Sequence, residues 1–97
     1  MPKVFILNRG AHDYSPAEHF GELVVCTEGA LPRDDPQLMF RKLEPFIKSS
    51  TAADMILLTS LSSLCSVACA MFAHRHGQLN LLLFHDGSYL KRTIVLN

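Results

Sequence analysis

The chain has 97 residues, 48% of them hydrophobic and 19% charged, and its nine basic residues balance nine acidic ones. That length suits one domain with a single modest core and is too short for two. A net charge of zero supplies no attraction to duplex nucleic acid or an anionic membrane and little protection against self-association, so we expect a homo-oligomer with neither as partner.

Lys3 to Asn8 reads as a first strand, buried on both faces because its apolar run is continuous. Ser15-Pro16-Ala17-Glu18 then carries a Ser cap, a Pro at the first helical position and a Glu at the third. Gly21 is expected to end that short helix in the left-handed conformation. Residues 9 to 21 are about the minimum for a crossover between parallel strands. Glu22 to Thr27 is the second strand, and Glu28 to Asp35 a loop broken by Gly29 and Pro32. Asp35-Pro36 opens a second helix, in which Leu38, Met39, Leu43, Phe46 and Ile47 recur at helical spacing. Pro45 lies inside that pattern and is expected to kink the helix or split it. Ser49 to Asp54 is a polar connection, and Met55 to Thr59 the third strand.

The third helix runs from about Leu61 to His76, with Ser60 or Ser62 as cap and Gly77 as terminator. It has no charged face, and such a helix must be covered on more than one side. In so small a protein a second subunit supplies that cover most easily, so the expected oligomer interface is the helix Leu61 to His76. Met55 to Ala73 carries no formal charge and is long enough to span a bilayer. Thr59-Ser60 and Ser62-Ser63 near its middle instead suit a strand, a turn and a helix start. Leu79 to Phe84 is the fourth strand, His85-Asp86-Gly87-Ser88 a tight turn, and Tyr89 to Leu96 a fifth, antiparallel strand. Lys91 and Arg92 suit a guarded sheet edge.

The order β-α-β-α-β-α-β-β places the chain in the α/β class, as a small Rossmann-like or flavodoxin-like three-layer sandwich. Right-handed crossovers give the sheet order 2-1-3-4-5 with the last strand antiparallel. Cys26, Cys65 and Cys69 form no Cys-x-x-Cys pair, and Cys65 and Cys69 stack four apart on one helix face. We read three reduced, mostly buried thiols in a cytoplasmic protein. The N-terminal apolar run is too short for a signal peptide.

Each apolar run is followed at once by a polar cluster, and parallel strands bring such clusters to one carboxyl edge, where open α/β sheets bind ligands. Asn8, Arg9, His12 and Asp13 would then face Thr59, Ser60 and Ser62 across the switch point. The second group opens a helix whose free N–H groups attract anions, and Arg9 suits a phosphate or carboxylate. The competing reading is that the serines only cap the helix, while Asn8 and Asp13 bond their own loop. There is no Gly-x-Gly-x-x-Gly and no Walker lysine, so no cofactor is indicated. Tyr14 can stack on a ring or pack in the core. A base-and-nucleophile pairing of His12 with Ser60 lacks the strained elbow that exposes a catalytic serine. His74-x-His76 on a helix points two ways and suits the helix dipole better than a metal.

Asn8-Arg9-Gly10-Ala11-His12-Asp13-Tyr14-Ser15, with Phe20-Gly21-Glu22-Leu23-Val24, resembles a group of short uncharacterised proteins encoded by tailed bacteriophages. The resemblance extends to Ile56-Leu57-Leu58-Thr59 and to His76-Gly77-Gln78-Leu79-Asn80-Leu81-Leu82. It implies a viral source and a host-cell cytoplasmic setting, and assigns no functional residue. The expectation is a homo-oligomeric domain that binds a small anionic or nucleotide-like ligand. The alternatives are a protein-interaction or virion-associated module and a small hydrolase or transferase.

Overall fold

Val4 to Leu7 are all buried, which requires neighbouring strands on both sides and a layer on each face. In the computed structural model, which describes residues 1–96, most of that run forms β1 (Lys3–Ile6). It is joined by β2 (Glu22–Val25), β3 (Met55–Leu57), β4 (Gln78–His85) and β5 (Ser88–Val95). The sheet order is β2-β1-β3-β4-β5, as expected. All neighbours are parallel except β4 and β5, which are antiparallel. The β4–β5 turn has positive φ at both Asp86 (49°) and Gly87 (79°), the geometry that Asp-Gly favours in a two-residue hairpin.

The two faces of the sheet are covered very differently. On one face lie α1 (Pro36–Lys48) and α2 (Ser62–His76), where Met39, Leu43, Ile47, Leu64, Ala68 and Phe72 meet Phe5, Leu7, Ile56 and Leu79. On the other, Val4, Ile6, Met55, Leu57, Leu82 and Tyr89 gather round Ala17 of one six-residue 3-10 helix, Ser15–Phe20, with Tyr14 and Phe20 at its ends. The chargeless helix α2 finds its cover within the chain. Leu64, Ala68 and Phe72 are buried, Val67 and Met71 pack against the same core, and the exposed residues are Ser62, Ser66, Ala70, His74 and Arg75. The exposed large apolar side chains of the sheet are Phe84, Ile94 and Val95 of the β4–β5 hairpin, followed by Leu96. The chargeless stretch Met55–Ala73 is divided between β3 and α2. No helix among the described residues is long and apolar enough to cross a membrane.

Local chemistry departs from the sequence signals at several points. Gly21 is extended (φ 167°), not left-handed. Its requirement is close approach: a Cβ there would collide with the Pro2 carbonyl, which accepts the Glu22 N–H at 2.9 Å and starts the β1–β2 ladder. Ser15 does not cap the crossover helix; its N–H donates to Asp13 Oδ1 at 3.0 Å. Asp35 caps α1 as expected, accepting the Leu38 N–H at 3.1 Å. Pro45 leaves α1 unbroken to Lys48, because it sits in the last turn, where the Ser49 hydroxyl reaches the Pro45 and Phe46 carbonyls (3.1 and 3.2 Å). Neither Ser60 nor Ser62 caps α2, which begins at Leu61 without a side-chain cap; Gly77 ends it in the left-handed conformation, as expected. The three cysteines are free and partly exposed, each with most of its surface buried. Burial pushes the Cys26 thiol up to about 12.

The amino edge of the sheet is closed by a satisfied polar network. Buried Asp54 accepts the Lys3 and Thr51 N–H groups, each at 2.8 Å. Buried Asn80 donates to the Ala52 and Asp54 carbonyls at 2.7 and 2.8 Å and accepts from the Thr93 hydroxyl at 2.9 Å. His76 turns inward beside it, 2.8 Å from Ser50 Oγ and against the Phe72 ring. Because Gly21 stands against Pro2 with no room for a methyl group, Gly21→Ala is expected to cost at least about 2 kcal/mol. Denaturant unfolding measures the loss, and an unchanged midpoint would contradict the packing described.

Candidate functional site

The chain leaves β1 at Ile6 and must turn back within a few residues to enter the crossover helix. Asn8 builds the start of that turn. The Thr27 hydroxyl lies 2.6 Å from the Leu7 carbonyl and 2.9 Å from Asn8 Oδ1, directing its proton between them. Asn8 Nδ2 donates to the Gly29 carbonyl at 3.2 Å. The far end is tied by Asp13, through Ser15, and by the Tyr14 hydroxyl, which accepts the Gly10 N–H at 3.0 Å. Asp13 therefore bonds its own loop, as the competing reading held, whereas Asn8 bonds across to the loop after β2. The same contact with Ser15 holds the Asp13 carboxyl below its usual range, so it is a carboxylate at neutral pH.

At the end of β3, Thr59 organises the start of α2. Its hydroxyl accepts the Leu61 N–H at 3.3 Å, and Cys65 Sγ lies 3.4 Å from both its N–H and its carbonyl. The first backbone bond of the helix runs from the Cys65 N–H to the Leu61 carbonyl. The N–H groups of Ser62, Ser63 and Leu64 thus lack intrahelical partners, as the first turn of any helix does. The Ser60 hydroxyl has no hydrogen-bond partner among the described residues.

These two segments border a cleft of about 540 Å³ at the carboxyl edge of β1 and β3, on the face of the crossover helix. Asn8, His12, Asp13, Thr59 and Ser60, all singled out from sequence, line it together. Two others do not. Arg9 continues toward β2, its N–H donating to the Thr27 carbonyl at 2.9 Å, and its guanidinium pairs with exposed Glu28 at 3.7 Å. Ser62 is exposed on α2, where its carbonyl accepts the Ser66 hydroxyl at 3.0 Å. The cleft's formal negative charge is Asp13, and its titratable base is exposed His12, whose ring meets Tyr14 edge-on with centroids 6.2 Å apart. No hydrogen bond joins His12 to Ser60 or to Asp13, so no preformed nucleophile–base pair is present.

Sequence reasoning missed the aromatic floor. The β4–β5 hairpin brings Phe84 and Tyr89 into the cleft beside Tyr14 and Leu57. These two residues are register partners next to the turn, and their rings meet edge-to-face at 5.4 Å. Phe84 is 66% exposed, whereas Tyr89 is only 7% exposed. Burial raises the Tyr89 phenol above its ordinary value, and Tyr14 and Asp13 add to the shift. The available signal was position: residues flanking a tight hairpin turn are cross-strand neighbours on one face.

Wall-building and ligand-facing residues separate by mutation. Asn8→Ala removes two side-chain bonds between the loops and is expected to lower stability by about 1–2 kcal/mol. Ser60→Ala removes none and should stay within about 0.5 kcal/mol of the parent. Thermal or urea unfolding of the two variants distinguishes the roles, and equal losses would contradict the assignment.

No curated protein and no solved structure is significantly similar to the chain. The profile of one family, described as Phage Pam3 gp32-like protein, matches residues 2–96. That span takes in both walls of the cleft and its aromatic floor, and the chain belongs to the Phage Pam3 gp32-like family.

Proposed function

We propose that this phage protein binds, without transforming, a small anionic ligand in the carboxyl-edge cleft. One observation carries the reading: the loop after β1 and the turn after β3 converge on a single cleft, in which exposed His12 and Ser60 have no hydrogen-bond partner among the described residues. The strand order is that of a flavodoxin-like sheet, in which the crevice between β1 and β3 is the switch point where ligands bind. The anionic group belongs at the Ser60 end. There the Ser60 hydroxyl lines the cleft just before the start of α2, whose dipole has its positive end at that side, and Asp13 would repel the anion from the opposite wall. Arg9 is engaged with Glu28 and is left out of the proposed contact. The phage family supports a host-cell cytoplasmic setting for this activity.

A second reading, a protein-interaction module or homo-oligomer, draws on a different surface from the one first expected. The outward residues of α2 are mostly small or polar, but the edge strand β5 exposes Ile94 and Val95 and is followed by exposed Leu96. Native mass spectrometry addresses both readings at once. An added small mass that is lost on denaturation supports ligand binding, and an oligomer without added mass supports the interaction reading.

A direct test is a thermal-shift panel of sugar phosphates, dicarboxylates and nucleoside phosphates on the parent and on Ser60→Glu. At least one compound is expected to raise the melting temperature of the parent, as ligand linkage requires. The carboxylate introduced at residue 60 should remove that shift. No shift with any compound, or an equal shift in both proteins, would contradict the proposal.

A further inference from the structure

Tyr89 is 7% exposed, lines the cleft, and its hydroxyl has no hydrogen-bond partner among the described residues. Its ring packs in the core while its hydroxyl is the end that opens on the cleft, which leaves a donor free for a ligand. The polar groups nearest in influence are already committed elsewhere. Tyr14 takes the Gly10 N–H on its hydroxyl, and exposed Asp13 takes the Ser15 N–H on Oδ1, its carboxylate keeping lone pairs for a further donor. Burial above all, with Tyr14 and Asp13 adding to it, opposes ionisation of Tyr89, and a phenol is protonated at neutral pH in any case, so its hydroxyl is a donor. The cleft therefore presents a donor and an acceptor in the same neighbourhood. Beside them stands the Phe84 ring, 66% exposed and held edge-on to Tyr89 at 5.4 Å.

We infer that the cleft recognises a nucleobase, with the Tyr89 hydroxyl donating to a ring nitrogen or carbonyl, the Asp13 carboxylate accepting from a ring or exocyclic N–H, and Phe84 stacking on the ring. This inference rests on the proposed ligand-binding reading and specifies its ligand class as nucleotides. The chemistry narrows the choice. A nucleobase edge carries an acceptor and an N–H donor side by side in one plane, which a sugar phosphate lacks and a phenyl ring cannot offer. Asp13 repels a ligand that is anionic throughout, so the ligand's charge must sit away from its recognised edge. A nucleotide meets that requirement: its base lies at Tyr89 and Asp13 and its phosphate at Ser60 and the start of α2. Stacking on an aromatic side chain contributes about 1–3 kcal/mol per base.

Isothermal titration calorimetry tests this with the four ribonucleoside 5′-monophosphates and, as the probe without a base, ribose 5-phosphate. At least one monophosphate is expected to bind at least about tenfold more tightly than ribose 5-phosphate. Tyr89→Phe keeps the ring and its packing and removes only the hydroxyl. It should weaken that monophosphate by about three- to tenfold, the worth of one net hydrogen bond, and leave ribose 5-phosphate unchanged. Equal affinity for ribose 5-phosphate and every monophosphate overturns nucleobase recognition while leaving the anion site standing. Unaltered monophosphate affinity in Tyr89→Phe overturns the role of the hydroxyl. Absence of binding by all five compounds overturns this inference, while the wider panel of phosphates and dicarboxylates decides the anion site separately.

Discussion

The crossover from β1 to β2 has to cover a whole face of the sheet with one six-residue helix. The opposite face has two full helices. This imbalance shapes everything at the carboxyl edge. Ala17 is buried at the centre of the thin side, and the loop before it is braced by its own side chains rather than by a packed layer. Gly21 closes the arrangement by letting the returning chain pass directly against Pro2. Where the crossover helix runs out of length the sheet face is left open, and the β4–β5 hairpin reaches in with Phe84 and Tyr89. The cleft thus lies at the end of the thin layer, walled by a braced loop and lined by aromatics, of which Phe84 stays exposed while Tyr89 and Leu57 are buried.

The two edges of the sheet show how polar groups divide between structure and function. At the amino edge Asp54 and Asn80 are buried and their side chains bonded to β1, β5 and the turn before β3. At the carboxyl edge Asn8, Asp13 and Thr59 are committed to their loops, but exposed His12 and Ser60 and the Tyr89 hydroxyl have no hydrogen-bond partner among the described residues. Buried polar groups are ordinarily satisfied. An edge with open donors above a half-covered apolar floor is therefore the part of this molecule suited to a ligand, and the satisfied edge is the part suited to stability.

Much of this was legible in sequence for simple reasons. Continuous apolar runs specify buried parallel strands, Asp35-Pro36 a helix start, and Asp86-Gly87 a hairpin, because each depends on local backbone chemistry. The convergence of Asn8–Asp13 with Thr59 and Ser60 followed from topology alone. What was not legible depended on direction in space. Arg9 looked available for an anion, but the bridge to Glu28 that extends the β1–β2 ladder turns it away. The serines at α2 looked like caps, yet Thr59 and Cys65 organise that turn. Gly21 suggested a positive φ, whereas its constraint is a contact with Pro2, distant in sequence. Tyr89 read as a residue of a guarded edge strand, and only the fold shows that its hydroxyl end borders the cleft.

The central claim is that the uncovered carboxyl edge, between crossover and hairpin, is where this protein holds its ligand. Amide chemical-shift mapping by nuclear magnetic resonance, during titration with an equimolar mixture of the four ribonucleoside 5′-monophosphates, tests it most directly. Binding in the cleft gives saturable shifts that report one binding event at residues 10–14, 59–62 and 84–89, with the amino-edge amides of Lys3, Thr51 and Asn80 unmoved. Saturable shifts confined to the groove between α1 and α2, which Phe40 and Met71 line, would contradict it, and no saturable shift anywhere would contradict a nucleotide as the ligand.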